Sequence, residues 1–116
     1  MATTKRTAGD AGIFSGLIRI HVLHHASVEG VFGLGMIREL RRHGYRIGPG
    51  TMYPLLHSME KRGWLKARRA QSEGRSRRVY SATRAGKKTL EEARLKVEEL
   101  FEELFEEEGR SRHDEH

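Results

Sequence analysis

Three helix-patterned segments in close succession, two short β-prone runs joined by an arginine-rich turn, and a heptad-spaced final stretch together predict the fold class. It is mainly α with a small β-hairpin: a winged helix-turn-helix followed by a long C-terminal helix. At 116 residues the chain has the size of one domain, and no internal repeat divides it.

Residues 1–11 are polar with little to bury and read as a flexible arm. Residues 12–26 place Phe14, Leu17, Ile18, Val22 and Leu23 at helical spacing. Gly30 and Gly33 interrupt the pattern. It restarts with Leu34, Met36, Ile37 and Leu40 on one face and Arg38, Arg41 and Arg42 elsewhere, and Gly44 is the natural stop. Gly48, Pro49 and Gly50 punctuate residues 46–51 as an irregular segment, with Thr51 as N-cap and Pro54 in the first turn of the next helix. That third helix runs to Lys61 and ends at Arg62-Gly63. Met52, Leu55, Leu56 and Met59 form its core face, and Tyr53, His57 and Lys61 share the opposite one.

Residues 64–70 and 77–83 are the two β-prone runs, with 71–76 between them as a long basic tip. Trp64, at the root of this hairpin, is assigned to locking it onto the core. From residue 84 to 108, Leu90, Ala93, Val97, Leu100 and Leu104 follow a 3,4,3,4 spacing, with Phe101 and Phe105 beside the stripe. Such a helix is about 37 Å long at a rise of 1.5 Å per residue, more than a small domain covers, so the seam calls for a second protomer. Residues 109–116 are polar and read as a disordered tail. The expected organisation is therefore an arm (1–11), a winged helix-turn-helix (12–83), a dimerisation helix (84–108) and a tail (109–116).

The charge is segregated. Residues 1–90 hold 18 Lys and Arg against 5 Asp and Glu, a balance of +13, whereas residues 91–116 hold 4 against 11, a balance of −7. A basic body with an acidic final helix fits a polyanionic partner at one end only. There is no cysteine, which removes disulfides and thiolate chemistry. The first apolar stretch, 13–23, is short and carries Arg19 and His21, so it suits neither a bilayer span nor a secretory signal; a cytoplasmic protein without membrane contact is expected.

In a helix-turn-helix the third helix enters the major groove with its N-terminal residues nearest the bases. That assigns base-facing roles to Thr51, Tyr53, Pro54, His57 and Ser58, and backbone roles to Lys61 and Arg46. The hairpin adds Arg75, Arg77 and Arg78, with Arg68 and Arg69 on the incoming strand. With about six such contacts, affinity for double-stranded DNA would fall with salt at a log–log slope near −5. The rival reading is a winged-helix interaction module whose basic face meets an acidic protein. Enzyme chemistry finds no support, since there is no Cys nucleophile, no Ser-His-Asp setting and no phosphate loop; Gly33-x-Gly35 lacks the third glycine of a dinucleotide motif. Among seven histidines, His21 shares a helical face with His24 and His25, but without a neighbouring acidic residue in sequence the group is read as packing or surface. No metal or cofactor is expected.

The stretch GPGTMYPLLHSMEKRGWL over residues 48–65 resembles the recognition-helix signature of PadR-like transcriptional regulators, and SEGRSRRVYSATRAG over residues 72–86 is similar to their wing and exit. The resemblance covers about residues 17–104 and implies a repressor in which Thr51, Tyr53 and their neighbours meet DNA. It also implies that the last helix pairs two protomers through Leu90, Ala93, Val97, Leu100, Phe101 and Leu104. The single terminal helix is similar to that of the short subgroup, some members of which bind flat aromatic or drug-like effectors near the dimer interface. Two positions depart from the pattern: Gly33 is followed by Leu34-Gly35 where a Gly-Tyr pair is usual, and Val79 precedes Tyr80 where adjacent tyrosines are usual.

Overall fold

The computed structural model describes residues 12–114; the arm 1–11 and the last two residues lie outside the described residues. Three helices come first, α1 (Ser15–Val28), α2 (Gly33–Arg42) and α3 (Pro49–Lys61). An antiparallel hairpin of β1 (Leu65–Ser72) and β2 (Arg75–Ala82) follows, and α4 (Arg84–Asp114) ends the chain. Helix α3 buries the whole stripe its sequence offers, Met52, Leu55, Leu56 and Met59. Helix α1 buries Ile18, Val22 and Leu23 together with Ala26 but leaves Phe14 and Leu17 of the expected stripe 36% and 43% exposed, and α2 buries Met36, Ile37 and Leu40 with Leu34 half-buried. Val31, Ile47, Leu65, Tyr80 and Ala82 complete this core, and Trp64 packs half-buried against it as expected.

Helices α2 and α3 end in the same way. Past α2, the amides of Gly44 and Tyr45 bond the carbonyls of Arg41 and Leu40; past α3, those of Gly63 and Trp64 bond the carbonyls of Glu60 and Met59. These are paired Schellman closures, and each needs a left-handed residue, supplied by Gly44 (φ +90°) and Gly63 (φ +84°).

The start of α3 differs from the sequence expectation. Gly48 is the N-cap residue and Pro49 the first helical residue, so residues 49–51 are helical. Pro49 wins this competition because its fixed φ suits the first turn and it has no N–H to leave unpaired. The Gly48 carbonyl accepts bonds from the amides of both Thr51 and Met52. Thr51 thus lies in the first turn without capping it, and Pro54 sits inside the helix. The Gly50 carbonyl, which has no proline N–H to receive, lies at an exposed position where water can satisfy it.

The hairpin also differs, having a two-residue turn rather than a long tip. Glu73 (φ 54°) and Gly74 (φ 75°) are both left-handed, the backbone of a type I′ turn that matches the twist of the strands. Its register places Leu65, Ala67, Arg69 and Gln71 opposite Ala82, Tyr80, Arg78 and Ser76. Val31, between α1 and α2, adds one further pairing by exchanging both backbone hydrogen bonds with Tyr80, at 2.9 and 2.7 Å. On the other face Val79, one of the departures from the family pattern, is buried against Gly30, where any side chain would meet it.

Thr83 begins α4. Its hydroxyl accepts the Gly86 amide at 3.0 Å and donates to the Gly63 carbonyl, tying the end of α3 to the start of α4. The helix runs to Asp114, six residues beyond the end read from the sequence. Gly109 weakens a helix by only about 1 kcal/mol and no proline follows it, so nothing local forces a stop at 108.

Candidate nucleic-acid interface

The outer face of α3 is set by what its inner face buries. With Met52, Leu55, Leu56 and Met59 inside, Thr51, Tyr53, Pro54, His57 and Lys61 are exposed and Ser58 is half-covered, so the six predicted residues form one continuous outward arc. Tyr53 stands at one edge, its ring laid so closely on Gly33 at the start of α2 that a side chain there would collide with it. Arg46, also exposed, precedes the helix in the α2–α3 turn, and Arg41 braces that turn by donating from Nε to the Ile47 carbonyl at 3.2 Å.

The wing arginines, grouped together by sequence, divide into distinct roles. Arg75 is exposed beside the turn. Arg77 is folded back: its side chain is 16% exposed, it pairs with Glu73 at 3.3 Å, and its guanidinium lies 4.5 Å from the centre of the Phe32 ring. Arg78 reaches across to α3, where Nη2 contacts both carboxylate oxygens of Glu60 at 3.1 Å, while Nε donates to the Tyr80 hydroxyl at 3.1 Å. The Glu60 carboxylate, with a smaller contribution from Tyr80, holds the Arg78 guanidinium still more firmly in its charged form.

A second polar cluster joins α1 to the end of α2. His21 lies 5.1 Å from His43 and 5.6 Å from Tyr45, ring centre to centre, and stacks at 6.5 Å on His25. Glu39 completes it from α2, at 3.0 Å from His43 and 3.7 Å from His25. The i,i+4 spacing on α1 showed one side of this cluster; the acidic partner that sequence proximity lacked comes from another helix. Burial first, and then the neighbouring His43 and His25, push His21 below its ordinary value, and the hydrogen bond with His43 lowers Glu39. Among the described residues no group of three or more His, Cys, Asp or Glu is arranged to hold a metal ion.

The stripe on α4 divides along its length. Leu90 and Ala93 are half-buried, Leu90 against the chain's own core. Beyond them Leu95, Val97, Leu100, Phe101, Leu104 and Phe105 are 40–59% exposed. Ile20 of α1 joins Leu95, Val97 and Phe101 around a groove of about 330 Å³, and Leu17, one turn earlier on α1, is 43% exposed. The apolar surface therefore extends from α4 onto α1, which the heptad count alone did not show. No helix among the described residues is long and apolar enough to cross a membrane.

Three helices, a paired hairpin and an exposed third-helix face define a winged-helix regulator. Residues 22–92 match the model of the transcriptional regulator PadR-like family, and the chain belongs to that family. It is 48% identical over 88 residues to the transcriptional regulator Rv3488 of Mycobacterium tuberculosis, covering 76% of this chain and 82% of that protein. Among solved structures, a PadR-like transcriptional regulator from Bacillus cereus superposes with a TM-score of 0.76 at 26% identity, over 82% of this chain and 94% of that one. A PadR family regulator from Eggerthella lenta shares the fold, with a TM-score of 0.72 at 22% identity over 90% and 93% of the respective chains. The chain is thus a transcriptional regulator of a family that is not an enzyme class.

Proposed function

We propose that this regulator is a repressor that binds an inverted-repeat operator as a homodimer, with residues 12–83 reading DNA and α4 joining the protomers. The observation that carries the DNA-binding reading is the outward arc of α3, which presents Thr51, Tyr53, Pro54, His57, Ser58 and Lys61 together, flanked by the exposed cations Arg46 and Arg75. Two such helices related by a two-fold axis, about 34 Å apart, read successive major grooves. The uncovered side chains from Leu95 to Phe105 supply the apolar surface for pairing, and the exposed acidic residues Glu98, Glu99, Glu102, Glu103 and Glu106 keep this end away from phosphates.

Selection of bound sequences from random duplex DNA tests the reading directly. The expected product is a two-fold symmetric site whose half-sites are one helical turn apart, and Tyr53→Ala lowers the preference for it over random duplex. Enrichment of no sequence, with binding of an acidic protein that duplex DNA does not compete away, would refute the reading. An effector of the flat aromatic kind would find Phe101 and Phe105, whose ring centres are 4.6 Å apart, on the pairing surface. Its binding there would change the spacing of the recognition helices and release DNA. Titration of aromatic compounds against Trp64 fluorescence and operator release checks this.

A further inference from the structure

The wing is held to the helices by one arginine on each of its faces, and the two attachments have different partners. On one face Arg77 lies over Phe32, the residue preceding α2. On the other Arg78 meets Glu60, near the end of α3 and 18 residues away in sequence, with two contacts to its carboxylate. Tyr80 accepts a third bond from Arg78 and is itself fixed, being 1% exposed and paired through its backbone to Val31. The register sets Arg78 directly opposite Arg69, a like-charge pair that repels unless a carboxylate intervenes.

We propose that Glu60 and Arg78 form a positioning pair for DNA recognition. They fix the angle of the wing on the recognition helix, so that Arg75 and the outer arc of α3 engage one duplex together, and Arg78 contacts no phosphate. This rests on the DNA-binding reading above. The pair is half-exposed, where ion pairs add little to folding, so its effect falls on geometry. A two-stranded hairpin holds its direction poorly by itself. From its root at Leu65 to its tip the wing spans about 23 Å at 3.3 Å per residue, so a swing of about 10° carries Arg75 about 4 Å. That displacement exceeds what a directed hydrogen bond tolerates but leaves the Arg75 charge within reach of the DNA backbone, so register is lost while the number of neutralised phosphates is kept.

The test uses the full chain, the operator obtained by selection, a random duplex, and affinities measured from 50 to 200 mM salt. Arg78→Ala is expected to lower the operator-to-random ratio about tenfold, the discrimination carried by one base pair, while leaving the log–log salt slope unchanged. Glu60→Ala lowers the ratio similarly but steepens the slope by about 0.9 per released arginine, about 1.8 for a dimer, because the freed guanidinium finds phosphate. Glu60→Gln, nearly isosteric, gives the same direction if the alanine variant folds poorly. The exchange Glu60→Arg with Arg78→Glu restores the ratio, which a general packing defect would not do. A slope flattened by about 1.8 in Arg78→Ala, with equal losses on both duplexes, would show Arg78 to be a phosphate contact and overturn the proposal. An unchanged ratio in both Glu60 variants would do the same. Failure of the parent chain to select any duplex refutes the underlying DNA-binding reading instead, and is seen before any variant is made.

Discussion

Replacing Leu100 and Phe101 together by alanine tests the proposed pairing surface of α4 apart from the stability of the protomer. The two side chains are 54% and 59% exposed, so each leaves about half of its apolar surface to be covered by a partner. Fully burying a Leu or Phe is favourable by about 1.5–3 kcal/mol, which makes the uncovered half of each worth about 1 kcal/mol. A two-fold dimer counts each residue twice, and the double substitution then removes about 4 kcal/mol of association energy. At 1.4 kcal/mol per decade, the dimer dissociation constant rises about 1000-fold. The helix itself is not weakened, since alanine is the better helix former at both positions. Sedimentation equilibrium across a concentration series measures the shift, with far-UV circular dichroism to confirm that α4 is retained. A dissociation constant that moves less than about tenfold, with helicity intact, would refute the assignment of this face to pairing.

Two further outcomes follow from local geometry. Because Gly48 rather than Thr51 caps α3, Thr51→Ala should cost less than about 0.5 kcal/mol in thermal or urea unfolding, where loss of a true N-cap costs about 1, yet it should weaken operator binding. His21, held below 6.5 by burial and by His43 and His25, takes up a proton more readily when unfolded. Its contribution to stability is therefore fully present above about pH 6.5 and is lost as the pH falls below that value. The melting temperature should drop between pH 7 and 5, and His21→Gln should flatten that drop. Glu39, lowered from 4.5, acts in the same direction but only at more acidic pH, so it does not account for a change in that window.

The order of elements, the buried face of α3 and most of those of α1 and α2 were legible because a 3.6-residue apolar repeat is a local property, visible in any short window. That Phe14 and Leu17 stay exposed depends on which neighbours cover α1, which no such window contains. Where α3 starts was not legible, since Pro49 and Thr51 are both good opening residues and only the path of the chain from Gly48 decides between them. The short turn is not legible because Glu73 is not a residue that advertises a left-handed backbone, so Ser72 and Arg75 read as loop when they are the last paired residues of the ladder. The single Val31–Tyr80 pairing has no periodicity to detect. The outward residues of α3 follow from its inner face and were found as a set. The division of labour among Arg75, Arg77 and Arg78 depends on Phe32 and Glu60, which no pattern local to the wing contains.

The separation of charge along the chain has a consequence for motion as well as contact. A net charge of +6 describes a mildly basic particle, but a body at +13 joined to a final segment at −7, with a longest dimension of 60 Å, is an electric dipole of molecular length. In the field of a polyanion such an object experiences torque before it touches anything, turning its basic end forward and its helical stem away. Each encounter then begins closer to the productive orientation than random tumbling would provide. The advantage is greatest in dilute salt and shrinks as the Debye length contracts to about 8 Å at physiological ionic strength, well short of the molecule's own span.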